Sequence, residues 1–383
     1  MVEVFITYNK RAEKLEISFK PEREITHVRY ECSFAKKREL NRAEVFLKTL
    51  ERISAKSARL RREKNAQGLR EANQSAAKRI REYGSRLFDA ITKDYKGGPI
   101  DEFKDLFGEI EKDFSLILNL DPITRRFPWE LANDGVWPLF QSYDVGRAVV
   151  TPNKPIDKVE GLTFRKALVV GLNYSWLGDE DMWLETPEKE AKLVGKRLRD
   201  RFGYTVKLLL GEDATLENLI KYLSKGVDVF HFSGHGSYDP DAPEGFQGSL
   251  VLYNDEDPDY CEPSKNLTEG WLDWCFGAAG RAPWFSFLNA CQSAKEIYSS
   301  HMIDEFISYG ATHVVGTMWS IFDEPAYKFV LGFYDQVAKG KTIGHALQLT
   351  RWSFNNERRN DEVATWPSFI LYGNPEAWFK HAP

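Results

Sequence analysis

Cys291 and His235 are the two residues whose type and setting call for a chemical explanation first. A thiol beside an imidazole is a nucleophile with its base: the ring takes the thiol proton, raises the thiolate population, and later protonates a leaving amine. His235 stands in Ser233-Gly234-His235-Gly236, and Cys291 in Ala290-Cys291-Gln292-Ser293. Each follows a short apolar run that reads as a buried strand, residues 227–232 and 284–289. In open α/β sheets, catalytic groups collect at the carboxyl ends of parallel strands. If the two runs are neighbours, thiol and imidazole face each other at one edge. The glycines around His235 permit an unusual turn and close backbone approach. The N–H groups of Gly236 and Cys291 are then the expected holders of a tetrahedral oxyanion. Chemistry of this kind requires no metal or cofactor.

A cysteine after a strand is, taken alone, more often a small core hydrophobe. The pairing with a glycine-flanked histidine separates Cys291 from Cys261 and Cys275, which have no such neighbour and read as structural. The four cysteines form no CxxC pair and no zinc or disulfide spacing. His231 alternates with Val229 and Val227 on one strand face and reads as a satisfied core histidine. His313 and His345 fall in strand and helix contexts that favour structure.

Positioning such a pair requires a framework, and the pattern of the chain supplies one. VEVFITY and KLEISF read as an N-terminal β-hairpin. From Lys37 the apolar spacing becomes helical, through Val45, Leu47, Leu50 and Ile53 and again through Ile80, Tyr83, Leu87 and Phe88, with Gly68 near the expected break. SLILNLD (115–121) reads as a buried strand, followed by Pro-Trp-Glu-Leu (128–131). TPNKPIDK (151–158) reads as a linker. The expected division is therefore a non-catalytic half, 1–150, and a catalytic domain, 151–383. Beyond the linker, strands (166–173, 206–210, 227–232, 249–253, 284–289, 313–319) alternate with helices (186–201, 214–223, around Trp271, one ending near Tyr309, 324–339, 342–354). The expected class is α/β, a mostly parallel sheet covered by helices on both faces.

At 383 residues, 42% hydrophobic and 14% aromatic, the composition is that of a globular chain rather than a disordered one. No run approaches the ~18 apolar residues of a membrane span, and the first residues lack the layout of a signal peptide. The expectation is a cytoplasmic protein with no membrane partner. The net charge of −5 is unevenly spread: residues 36–82 hold fifteen Lys/Arg against six Asp/Glu, and residues 239–262 hold eight carboxylates and no Lys or Arg. The basic stretch has few aromatic residues on which bases would stack, so nucleic acid is an unlikely partner. It reads first as a solvated helical face, then as a docking surface for an acidic protein.

Val227-Asp-Val-Phe-His-Phe-Ser-Gly-His-Gly236 and Phe285-Ser-Phe-Leu-Asn-Ala-Cys-Gln-Ser293 closely resemble the CHAT family, prokaryotic relatives of caspases and separase. Arg126-Phe-Pro-Trp-Glu-Leu131, Gly310-Ala-Thr-His-Val-Val-Gly-Thr-Met-Trp319 with Asp323-Glu324, and Trp366-Pro-Ser-Phe-Ile-Leu-Tyr-Gly373 extend the resemblance from about residue 100 to the end. The resemblance implies a caspase-like fold, a cysteine endopeptidase, and a catalytic dyad on His235 and Cys291. It also implies a helical or pseudo-caspase N-terminal half and limited proteolysis of one or a few proteins. Pore-forming or signalling proteins encoded nearby, in a stress or antiviral response, are the substrate classes it brings, with an activating partner as a further expectation. The tetratricopeptide repeats that often accompany such modules do not occur in this sequence.

By the same resemblance, the position two before the cysteine lines the first specificity pocket. There an Asp selects basic residues, and here the residue is Asn289. Asp323, shortly after the tryptophan-bearing strand that ends at Trp319, is the candidate carboxylate for a basic residue, and Trp319 joins Asn289 and Asp323 as a substrate-binding candidate. The plainer expectation for Asp323 is a cap on a helix beginning at Glu324. The reading from another functional class is a catalytically idle module acting as a binding or scaffold subunit. A small-ligand-binding domain fits less well, since Gly171-Leu-Asn is a poor phosphate loop.

Overall fold

A computed structural model describes residues 1–12, 14–21, 28–33, 36–92, 115–133, 138–148, 162–163, 165–180, 182–238, 241–243, 245–254, 265–291, 302–356 and 364–380. The linker at 151–158 and seven of the eight carboxylates of the acidic stretch at 239–262 lie outside these residues. The chain divides into two compact units, one of Met1–Lys158, Ile343–Pro367 and Leu371–Glu376, the other of Val159–Thr342, Ser368–Ile370 and Ala377–Pro383.

In the first unit, β1 (Val2–Asn9) and β2 (Lys14–Pro21) form the expected hairpin, with Val4 opposite Phe19 and Ile6 opposite Ile17. The alternation of β1 is visible in its burial: Val2, Val4 and Ile6 face inward. A third antiparallel strand, β3 (Val28–Ser33), lies beyond β2, a pairing the sequence reading did not include. On its other edge β1 pairs in parallel with β4 (Ser115–Leu120), which pairs in parallel with β5 (Asp144–Ala148). All six residues of β4 are buried, as its unbroken apolar run requires.

Helices α1 (Lys36–Arg62) and α2 (Ala66–Thr92) run antiparallel, with the break at Lys64, which takes a left-handed φ of 54°, rather than at Gly68. Gly68 sits inside the first turn of α2, and its N–H is capped by the side chain of Asn65 at 2.8 Å. The Asx cap, not the glycine, starts the helix. Gly84 of α2 lies against the backbone that follows the Pro-Trp-Glu-Leu element; a Cβ there would sit 2.0 Å from the Leu131 carbonyl oxygen. That element forms a short 3-10 turn, and its Glu130 is buried. The guanidinium of Arg147 on β5 meets the Glu130 carboxylate with both Nε (2.5 Å) and Nη2 (2.8 Å), and donates to the carbonyls of Arg125 (2.7 Å) and Phe127 (2.8 Å). A buried charge pair is tolerable only with this degree of satisfaction. Helix Ile343–Asn356 belongs to this unit, with Trp352 Nε1 donating to the Gln141 carbonyl beside the short helix α3 (Leu139–Ser142) at 2.7 Å.

The second unit is built on parallel strands: β7 (Lys166–Gly171), β8 (Thr205–Leu210), β9 (Val229–Ser233), β13 (Phe285–Asn289) and β14 (His313–Thr317), in the order β14-β13-β9-β7-β8. A pair, β6 (Leu162–Thr163) with Phe379–Lys380, and a small antiparallel sheet, β10 (Gly236–Tyr238), β11 (Gly248–Leu250) and β12 (Leu267–Thr268), complete the strands. Every residue of β9, β13 and β14 is buried, so both faces are covered. The cover comes from α4 (Pro187–Phe202), α5 (Leu216–Leu223), α6 (Glu269–Ala279), α7 (Met302–Ser308) and α8 (Asp323–Ala338). One face is aromatic: Phe285 and Phe287 of β13 pack on Phe333 of α8, and Phe329 stacks on Phe369 at 4.4 Å. The expected α/β alternation is present, with most element ends moved by one or two residues; the strand expected at 249–253 is Gly248–Leu250, in the small antiparallel sheet.

Candidate active site

β9 and β13 are adjacent and parallel, with Ser233 opposite Asn289 as the last pair of the register. His235 and Cys291 each stand two residues beyond that pair, on the carboxyl edge. The two turns touch: a Cβ on Gly236 would lie 2.4 Å from the Cys291 carbonyl oxygen and 3.3 Å from the Ala290 Cβ. Gly234 is equally confined, since a Cβ there would lie 2.4 Å from the Tyr174 hydroxyl. Neither glycine has a positive φ. Close approach, not an unusual turn, is what requires them.

Tyr174 was not a sequence candidate. It lies in the loop after β7, fully buried, at a left-handed φ of 61° that costs a non-glycine residue about 1–2 kcal/mol. Its hydroxyl donates to the Val251 carbonyl (2.8 Å) and accepts from the His235 N–H (2.7 Å), and its ring lies 4.3 Å from the imidazole. Burial pushes the Tyr174 phenol well above its ordinary range, so it stays protonated and holds this geometry.

The His235 ring is held from the same loop: Nε2 lies 2.7 Å from the Met182 carbonyl. A carbonyl only accepts, so the neutral ring carries its proton on Nε2 and its lone pair on Nδ1. Burial lowers the His235 pKa from the ordinary imidazole value near 6.5, and the Met182 bond opposes that shift. Cys291 is a partly exposed thiol outside any disulfide, and its Sγ lies 3.8 Å from the Ile321 carbonyl. Cys275, by contrast, is buried and pushed up to about 12, out of reach of thiolate chemistry at neutral pH. The Val251 N–H donates to the His235 carbonyl at 3.0 Å, which makes Gly236 and Leu250 a non-hydrogen-bonded pair of the β10–β11 ladder. The Gly236 N–H consequently points away from β11.

Beneath this edge lies a polar network that sequence reasoning missed. Glu190 of α4 is fully buried; it accepts from Asn289 Nδ2 on both oxygens (3.0 and 2.9 Å) and bonds His231 Nε2 at 3.0 Å. His231 Nδ1 meets the Tyr334 hydroxyl at 3.2 Å, which fulfils the expectation of a satisfied core histidine. A glutamate among the apolar positions Ala191, Val194 and Leu198 of an amphipathic helix was the available signal. Asn289, the candidate pocket residue, is thus nearly buried and bonded to Glu190. Trp319 is fully buried. Asp323 is the first residue of α8, with Phe322 at the N-cap, so the helix does not begin at Glu324. Its carboxylate accepts from the backbone N–H groups of Glu185 (2.8 Å) and Thr186 (3.0 Å) and from the Thr186 hydroxyl, serving the start of α4. Burial raises the Asp323 pKa, with those hydrogen bonds opposing and the charge of Glu190 reinforcing the shift.

A parallel sheet that carries a cysteine and a histidine two residues past one strand pair is the architecture of the caspase-like cysteine proteases. The chain belongs to the CHAT domain family, whose signature covers residues 105–374. Among solved structures, the Saccharomyces cerevisiae separase–securin complex aligns with a TM-score of 0.61 at 11% identity, over 99% of this chain and 30% of that chain. A second structure of the same complex gives a TM-score of 0.58 at 12% identity, with the same coverage. The Arg-specific cysteine proteinase gingipain R gives 0.49 at 11%, over 78% of this chain and 74% of that one. The chain therefore spans less than a third of the separase chain it matches. A comparison with curated protein sequences finds no match. Among the described residues, no helix is long and apolar enough to cross a membrane.

Proposed function

We propose that the chain is a cysteine endopeptidase that cuts one or a few protein substrates, with residues 151–383 carrying the catalytic groups and residues 1–150 none. The observation that carries this reading is the β9–β13 register, with Gly236 packed on the Cys291 backbone. His235 Nδ1 takes the Cys291 thiol proton, and the thiolate attacks the scissile carbonyl to form a C–S bond. The oxyanion is held by the N–H groups of Gly236 and Cys291. The proton then passes from His235 to the leaving amine as the C–N bond breaks. Water, deprotonated by His235, releases the acyl group and restores the thiol. No metal or cofactor takes part. A regulated role in a stress or defence response, under an activating partner, is the setting that family membership favours.

The same reading places a basic residue on the acyl side of the cut. Its support is two carboxylates close enough to feel each other's charge, half-buried Asp323 and buried Glu190, the latter bonded to Asn289. Fluorogenic peptides with Arg or Lys there are expected to be turned over, and Asp323→Asn to lower kcat/KM for them by about tenfold or more. Selective cleavage after Asp or an aliphatic residue contradicts it.

Gly236→Ala is expected to cost about a hundredfold or more in kcat, because moving one oxyanion donor has that order of effect and the Cβ cannot fit 2.4 Å from an oxygen. An unchanged kcat removes Gly236 from the oxyanion role.

The lowered pKa of His235 keeps its base form populated into mildly acidic solution, so the acidic limb of kcat/KM is expected below pH 6.5. Stability changes in the same direction. The unfolded chain binds the proton first as pH falls, so stability present above about 6.5 is lost on acidification through the unfolded value. Thermal melts of wild type and His235→Gln from pH 5 to 8 check this; the gap between them narrows toward low pH.

A further inference from the structure

The two long helices of the first unit border a groove of about 910 Å³ that the proposed chemistry leaves unused. From α1 it is lined by Arg38, Arg42, Val45 and Phe46, which lie on one stripe at three- and four-residue steps. From α2, Arg79, Tyr83 and Arg86 face them with the same periodicity. The floor is the stacked pair Phe46 and Tyr83, ring centroids 4.1 Å apart and planes 9° from parallel. Both rings are buried, and their faces are spent on each other. On the wall, Val45 is 65% exposed, the most open large apolar side chain among the described residues.

The charge is one-sided. Arg38 and Arg42 share the single carboxylate of Glu39, at 3.1 and 2.5 Å. Glu82, the one acidic residue among the described lining residues, is bridged to Lys78 at 3.8 Å. Among the described residues no carboxylate pairs with Arg79, Arg81 or Arg86, and all three are exposed. Such a field lowers the stability of the bare surface and is relieved by an anionic partner.

We propose that this trough is the docking site for an acidic amphipathic helix of a partner protein. Two antiparallel helices presenting matched stripes leave the place where a third helix packs. An apolar side chain of the incoming helix covers Val45, and flanking Glu or Asp residues meet the arginine rows with charge-assisted hydrogen bonds. The volume is at the upper end for ligand sites, as a helix face requires. A nucleic acid fits less well: Phe46 and Tyr83, the rings among the described lining residues, are buried and stacked on each other, and Val45 adds an apolar element that phosphate does not use.

The test is anisotropy titration of the full chain with a fluorescein-labelled peptide of about 20 residues, long enough to form a helix on the surface, with Leu on one face and Glu on the other. The controls are a scrambled peptide of the same composition, a version with Lys for Glu, and a labelled single-stranded oligonucleotide. Saturable binding of the acidic amphipath alone is expected, weakening by about tenfold or more from low to high salt. Arg79→Glu/Arg81→Glu/Arg86→Glu is expected to lose at least about tenfold in affinity, and Val45→Asp to weaken binding with no change in thermal unfolding, because all four side chains are exposed. Equal binding of the scrambled peptide, tighter binding of the oligonucleotide, undiminished binding by either variant, or no binding of the acidic peptide overturns the proposal.

Discussion

Cys291→Ala is expected to abolish peptide-bond cleavage, lowering turnover about a thousandfold or more while leaving the fold intact. The magnitude follows from losing the group that forms the covalent intermediate, a loss no neighbouring residue can replace. Stability is spared because Sγ is partly exposed and its described polar contact is a weak 3.8 Å approach to the Ile321 carbonyl. His235→Ala acts on the same step and is expected to fall nearly as far, with the double variant no worse than either single one, since the two groups work as a unit. The His235 variant also loses the Met182 bond and the packing on Tyr174, so a modest fall in melting temperature accompanies it. Cleavage that survives Cys291→Ala removes Cys291 from the nucleophile's role, and no cleavage by the wild type returns the chain to the class of binding modules.

The second large effect is structural. Glu130→Ala is expected to destabilise the protein by about 3–5 kcal/mol, because it leaves the guanidinium of Arg147 buried without its counter-charge. Arg147 is 1% exposed and Glu130 4%, so water cannot take the carboxylate's place. Arg351 would feel the change as well: burial lowers its pKa to about 10, and the charges of Glu130 and Asp144 counter that shift. Urea unfolding of Glu130→Ala, Arg147→Met and the double variant forms the check. The double variant is expected to cost much less than the sum of the singles, because it removes the orphaned charge. Additive losses contradict the pairing.

The framework of the candidate site was legible because its strands are buried on both faces. Runs such as FSFLN and VFHFS carry no charged residue and are dominated by apolar and aromatic side chains, and the residues just past them fall at a strand end by construction. The adjacency of β9 and β13 was only a condition of the sequence reading, and the parallel register meets it. What holds the histidine was not legible. Tyr174 and Met182 act on His235 from 61 and 53 residues away, through a hydroxyl and a backbone carbonyl that no motif marks. Glu190 was nearer to view, as a charge on an apolar helix face, yet its partners Asn289 and His231 come from two other elements. Asp323 shows the same limit. From sequence, an acid at a helix start reads as its own cap, whereas in the fold it serves the start of α4. The third strand of the N-terminal sheet escaped because the hairpin accounts for its neighbours so fully that nothing in the pattern asks for another partner.

The most direct test of the central claim is the site of covalent capture. The full chain is incubated with a peptidyl acyloxymethyl ketone carrying Arg at its reactive end, digested, and mapped by mass spectrometry in parallel with His235→Ala. The account predicts a single adduct on Cys291 that is strongly reduced in the histidine variant. An adduct on Cys32, Cys261 or Cys275, or labelling of Cys291 that is indifferent to His235, contradicts it.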